Sequence, residues 1–223
     1  MTYILHLETA TKVCSVALSK DGNLIALREL QEDGYSHGEN LTTFIQEVLQ
    51  EAAITANNLD AISLASGPGS YTGLRIGAAT AKGLCYALKI PLIAIDALTS
   101  LIKQAKKNHP SSNLCALIDA RRMEVYNLFV SSELIPLKEI SADIIEEDSY
   151  KSFEPFVYFG DGAEKLQEMW SGRNCTIDLE IRSSATGQIE LALQKFKDEK
   201  FEDVAYFEPF YLKDFIAGVK KKP

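Results

Sequence analysis

One strand pattern occurs twice in this chain, and the repetition constrains the fold more than any single motif. "ILHLETATKVCSVAL" at 4–18 is an apolar strand that ends in a carboxylate, followed by a polar turn and a second strand. "CALIDARRMEVYNLFV" at 115–130 has the same form, with Asp119 where Glu8 stood and a turn one residue different in length. A pattern that opens each half of a 223-residue chain predicts a duplicated unit, two α/β lobes of about 100 residues each, every lobe able to bury a core.

The first half is the more regular. Short β-rich runs at 3–8, 13–19 and 23–30, separated by "TATK" and by Asp21-Gly22, predict a three-stranded meander. Leu41, Phe44, Ile45, Val48, Leu49 and Ala52 then fall at helical spacing, with Ser36 and Glu39 as a capping box. "AISLA" at 61–65 is a buried strand, 73–88 a second helix, "LIAI" at 92–95 a strand and 97–107 a third helix. Strand, helix, strand implies parallel pairing by a right-handed crossover. "KKNHPSSN" at 106–113 is the polar joint between lobes 1–107 and 108–223. Beyond it we expect strands at 124–131, 134–140 and 155–160, an acidic stretch "ADIIEEDS", helices at 163–169 and 184–198, and a solvated "KKKP" tail.

"SGPGSYTGLRIGAATAKG" at 66–83 is rich in glycine without being a nucleotide motif. No Lys-Ser or Lys-Thr follows a glycine, which excludes a Walker A loop, and Gly67, Gly69 and Gly73 are spaced G-x-G-x-x-x-G, off the dinucleotide fingerprint. Helical register offers another use. Gly73, Gly77 and Ala81 are four apart, as are Ala79, Gly83 and Ala87, so two strips of this helix carry little bulk. Such a face admits another helix, with Leu74, Ala78, Ala81, Cys85 and Leu88 left to face the sheet. Ser70 and Thr72 have no nearby histidine to activate them and suit turn and N-cap duty.

Composition narrows the partners. A net charge of −8 repels nucleic acid at long range, so any RNA contact belongs mostly to another chain. Cys14, Cys85, Cys115 and Cys175 lie far apart and read as small core residues; His6, His37 and His109 lack metal-ligand spacing. The opening apolar run is too short for a signal peptide and no stretch reaches membrane-span length, so the expectation is a cytoplasmic protein without a membrane partner. Glu8 and Asp119 end strands where α/β proteins often handle phosphate or metal, although such carboxylates also simply bond turn amides. Arg75, Arg121 and Arg122 suit an anion or acidic groups, or plain solvation.

The glycine-rich segment with its continuation "LCYALKIPLIAIDALTSL", the opening "LETATKVCSVAL", "IDARRMEVY" and "PFYLKD" together resemble the TsaB (YeaZ) family, glycoprotease-like proteins of tRNA threonylcarbamoyladenosine formation. The resemblance implies an actin, Hsp70 and sugar-kinase (ASKHA) α/β fold, with a repeated βββαβα core and a reduced second lobe. It implies a non-catalytic subunit that partners a TsaD-type paralogue and a TsaE-type ATPase, meets tRNA only through the complex and forms a homodimer when alone. The two helices matching 36–53 and 73–88 would carry the interface, through Leu41, Phe44, Ile45, Val48, Gly73, Gly77, Thr80 and Ala81. Glu8, Thr9 and Asp119 would face an interlobe cleft, with ATP or ADP as an optional ligand at the complex interface. A kinase-like ATPase or a peptidase is the alternative, weakened by the absent phosphate loop and nucleophile constellation.

Overall fold

The computed structural model describes residues 1–31 and 37–213. Its first half is the expected meander and crossovers: β1 (Tyr3–Glu8), β2 (Val13–Lys20), β3 (Asn23–Gln31), α1 (His37–Glu51), β4 (Ala61–Gly67), α2 (Tyr71–Leu88), β5 (Leu92–Asp96) and α3 (Ala97–Asn108). The five strands form one sheet in the order β3-β2-β1-β4-β5, with β1, β4 and β5 parallel. The β2–β3 turn at Asp21-Gly22 has φ of 51° and 83°, a left-handed pair that glycine adopts without penalty.

The second half repeats this plan. β6 (Leu114–Asp119), β7 (Glu124–Val130) and β8 (Pro136–Ile144) form an antiparallel meander, and β9 (Phe156–Phe159) and β10 (Cys175–Asp178) add in parallel beside β6. The order β8-β7-β6-β9-β10 matches the first sheet strand for strand. Only the crossovers shrink: 3-10 turns at Lys151–Phe153 and Glu164–Leu166 stand where α1 and α2 stood. Aromatic rings cover the sheet in their place, with Phe129, Phe156, Tyr158 and Trp170 buried together and Trp170 edge-on to Phe156 and Tyr158.

Each half ends in a helix that packs on the other half's sheet. α3 sets Leu98, Leu101, Ile102 and Ala105 against Leu114, Ala116, Ile118 and Phe159 of the second sheet. α4 (Ile189–Lys197) sets Ala192, Leu191 and Phe196 against Ile4, Ala61, Ile93 and Ile95 of the first. α1 and α2 cover the opposite face of that first sheet, over Leu5, Leu7, Val16, Leu18, Ile62 and Leu64. The alternation in β1 thus sorts Leu5 and Leu7 to one face and Ile4, His6 and Glu8 to the other.

Several expectations change. The chain beyond residue 108 is not confined to the second lobe: besides α4, Glu202 N donates to Leu92 O at 2.9 Å and Phe210 N to Ser66 O at 2.7 Å. β10 was unexpected, being a four-residue edge strand, and β8 runs through Ile144 into the acidic stretch. α2 begins at Tyr71, so Thr72 lies inside the helix and only Ser70 caps it. The helix expected at 163–169 reduces to a 3-10 turn, and that expected at 184–198 starts as a 3-10 turn at Ala185–Gln188 before α4. Ser36 of the capping box and the "KKKP" tail lie outside the described residues.

Candidate functional site: a helix face and an interlobe cleft

α2 starts where Ser70, in extended conformation, accepts a hydrogen bond from Gly73 N at 3.2 Å. Its first small strip is then consumed inside the lobe. A Cβ on Gly73 would stand 2.1 Å from Thr9 O, and one on Gly77 would stand 2.4 Å from Thr9 Oγ1. Thr9 also donates its hydroxyl to Gly73 O at 2.9 Å. The glycines therefore let the β1–β2 turn lie directly on the helix, which corrects the view that Gly73, Gly77 and Ala81 make room for a partner. Leu41, Ile45 and Val48 are likewise buried in the first lobe's core, together with Ala81.

What the surface keeps of the expected interface is half-buried Phe44 and Thr80, flanked by the second strip of α2. Ala79, Gly83 and Ala87 are exposed, a Cβ on Gly83 would meet nothing within 4 Å, and Tyr86 is 82% exposed. Charge divides between the two helices. α2 carries Arg75 and Lys82 and no acid, whereas α1 carries Glu39, Glu47 and Glu51 and no base, the last two held by Arg28 at 2.9 and 2.6 Å. The second strip is thus a low-relief surface with one basic and one acidic flank.

The expected cleft would lie where β1 and β6 end, at Glu8 and Asp119. Glu8 is fully buried, accepts from Ala10 N at 2.8 Å and is hydrogen-bonded by Gln188. Burial pushes its carboxyl up to about 7, and the negative charges of Asp161 and Glu29 push the same way. Asp161, after β9 of the same lobe as Asp119, accepts from Asp119 N at 3.0 Å. Asp119 itself is exposed, ion-paired with Lys165 and bonded to Arg121 N. Asp161, a residue not foreseen, thus bonds the backbone of Asp119 while its charge acts on Glu8. The signal was available: Gly160-Asp161-Gly162 directly after β9 parallels Gly67-Pro68-Gly69 at the end of β4, and Gly160 and Gly67 share positive φ of 96° and 112°.

A buried polar chain backs this cleft. Ser63 Oγ gives its only proton to Gln188 Oε1 at 2.6 Å, so His6 Nδ1 must donate to Ser63, leaving Nε2 to accept from Ser19 Oγ. The imidazole is neutral, its pKa lowered to about 3 by burial. His37 Nε2 bonds Thr11 O and His109 pairs with Asp178, so the three histidines serve separate places. Among the described residues no group of three or more His, Cys, Asp or Glu side chains gathers closely enough to hold a metal ion. Arg121 and Arg122, exposed with left-handed φ of 70° and 52°, form the turn above Asp119.

Two sheets of identical strand order, each closed by a helix exchanged with the other, define the ASKHA class of actin, Hsp70 and sugar kinases. The chain belongs to the TsaD family, tRNA N6-adenosine threonylcarbamoyltransferase, whose family model matches residues 33–207. Within it the similarity runs to TsaB. The tRNA threonylcarbamoyladenosine biosynthesis protein TsaB of Haemophilus influenzae is 38% identical over 55% of this chain and 51% of that protein. The TsaB of Escherichia coli is 28% identical over 97% of both chains. Among solved structures, YeaZ from Pseudomonas aeruginosa superposes with a TM-score of 0.80 at 25% identity, covering 95% of this chain and 100% of that one. Among the described residues no helix is long and apolar enough to cross a membrane.

Proposed function

We infer that this protein is a subunit for threonylcarbamoyladenosine formation in tRNA, acting through assembly and not through chemistry of its own. It works in the cytoplasm, beside a TsaD-type paralogue that carries out transfer, with a TsaE-type ATPase as further partner and tRNA met only through the complex. Family membership and the TsaB relatives support the pathway. The observation that carries the assembly role is the second strip of α2: Ala79, Gly83 and Ala87 are exposed beside Thr80 and Phe44, with open space above Gly83. A helix of another chain can approach there without displacing a side chain. The basic flank of α2 and acidic flank of α1 also suit an antiparallel copy of the same pair, which is how the homodimer would form in the partner's absence.

Reconstitution tests this. Wild-type chain mixed with its cognate TsaD-type and TsaE-type proteins, tRNA and threonylcarbamoyl-adenylate yields modified adenosine, and omission of this chain abolishes the product. Gly83→Trp should leave the circular dichroism spectrum unchanged while weakening co-purification with the TsaD-type protein at least tenfold. Product formed equally well without this chain, or wild-type association of the tryptophan variant, would overturn the reading.

A further inference from the structure

Residues 199–213, which follow α4, form neither helix nor strand beyond a single bridge of Glu202 to Leu92, yet they tie both lobes. After Glu202 N has bonded Leu92 O at the edge of β5, the segment runs back along α2 from its carboxyl end to its first residue. Val204 lies by Cys85 and Ile90, Lys82 Nζ donates to Ala205 O at 3.1 Å and to Phe207 O at 3.0 Å, and Tyr211 sets its ring 4.9 Å from that of Tyr71. Phe210 N bonds Ser66 O just before α2, and Lys213 pairs with Glu124 at the start of β7 in the other lobe.

The anchors are strong singly and sparse together. Lys82 forms no ion pair among the described residues; its ammonium goes to two main-chain carbonyls, hydrogen bonds that the charge strengthens. Val204 and Phe207 pack on the first lobe's core, and Tyr211 and Leu212 on the cluster that joins α3 to the second sheet. Most of the rest faces outward, with Phe201 and Phe210 exposed and Tyr206 85% exposed. A segment with few buried side chains opens at lower cost than the elements beneath it. Its anchors lie on separate elements, so each keeps the next within reach, and losing one lengthens the free chain that the others must hold.

We propose that residues 199–213 form one two-state latch that fastens α2 to the second lobe and, when closed, completes a binding surface at the carboxyl end of α2. That surface is an open cavity of about 570 Å³, walled by Tyr86, Ala87, Lys89 and Ile90 on one side and by Val204 of the latch on the other. Opening takes the Val204 wall away. Because Ala87 belongs to the outer strip of α2, a protein seated on that strip and filling the cavity binds the closed form alone and draws the equilibrium toward it. This last step rests on the assembly reading of α2, whereas the latch itself does not.

Amide hydrogen exchange of the full chain tests the latch with no partner present. Lys82→Met keeps the apolar stem and removes the ammonium. It should speed exchange at the Phe207 and Phe210 amides alike, each at least tenfold, although Phe210 N is bonded to Ser66 O and not to Lys82. Lys213→Met, at the far end, should speed the same two amides at least threefold, and unchanged rates in β1 show that both variants keep the fold. Unaltered rates, or an effect confined to the amide nearest each substitution, would overturn the latch. With a TsaD-type protein present at ten times its Kd, the wild-type Phe210 amide, at the opposite end of α2 from the cavity, should exchange about tenfold more slowly. Binding that leaves Phe210 unchanged overturns the link to the cavity; a TsaD-type protein that does not bind overturns the assembly reading, with the latch already decided on the isolated chain.

Discussion

Glu8 is a carboxyl group with nearly all of its hydration removed, and its chemistry is set by that fact. Its folded pKa of about 7 lies well above the ordinary carboxylate value, so the folded protein holds a proton that the unfolded chain has released. Stability from this group is therefore unaffected at low pH, declines as pH rises through the interval from 4.5 to about 7, and stays lowered above it. Buried, neutral His6 acts in the opposite sense: below pH 6.5 the unfolded chain takes up a proton that the folded imidazole refuses until about 3, so stability falls on acidification. Glu8→Gln keeps the acceptor for Ala10 N and removes the charge. It should raise stability at pH 8 by up to about 3 kcal/mol and change it little at pH 4, as read by urea unfolding at the two pH values. Equal effects at both would show that folding leaves the Glu8 carboxyl at its ordinary value. Asp161 shows what residue types alone could not reveal. Gly160-Asp161-Gly162 could have marked its place after β9, but its approach to Glu8 depends on how two lobes meet, which that motif does not encode.

α2 shows how far periodicity carries at the level of an element. Spacing identified the helix, its cap residue Ser70 and two small-residue strips, all of which the fold contains. It could not say what each strip approaches, because a missing side chain marks closeness without marking the neighbour. Gly73 and Gly77 face Thr9 of their own lobe, whereas Gly83 faces open space. The two kinds of glycine should respond oppositely to one methyl group. Gly77→Ala forces Thr9 off the helix and should destabilise by about 1–3 kcal/mol. Gly83→Ala gains helix propensity with no clash and should stabilise by about 0.5–1 kcal/mol. Thermal unfolding of the pair checks both signs. Strongly periodic elements such as α1 and α3 were legible for the same reason, and β10 was not: "CTID" is a four-residue edge strand with one residue exposed and three half-buried, so neither length nor alternation marks it.

At the scale of the whole molecule the duplication was legible from one strand pair, yet the apparent joint at 106–113 divides the chain more cleanly than it divides the structure. Ile4, Ala61, Ile93 and Ile95 of the first sheet find their cover in α4, and Leu98, Leu101 and Ile102 of α3 find theirs in the second sheet. Residues 1–108 made alone should therefore expose two apolar faces and bind a hydrophobic dye strongly. Co-expression with 109–223 should restore a compact, cooperatively unfolding protein, and a first half that unfolds cooperatively by itself would show the exchange to be dispensable.

The same exchange of helices orders events on the ribosome. The first sheet, α1 and α2 emerge early, but the back of that sheet stays bare until α4 leaves the exit tunnel, roughly ninety residues after β5, at synthesis rates of about 5–20 residues per second. For those seconds the nascent chain shows a sticky inner face beside a finished outer one. A newly made molecule thus carries its α1–α2 surface to the outside world before its own interior has closed.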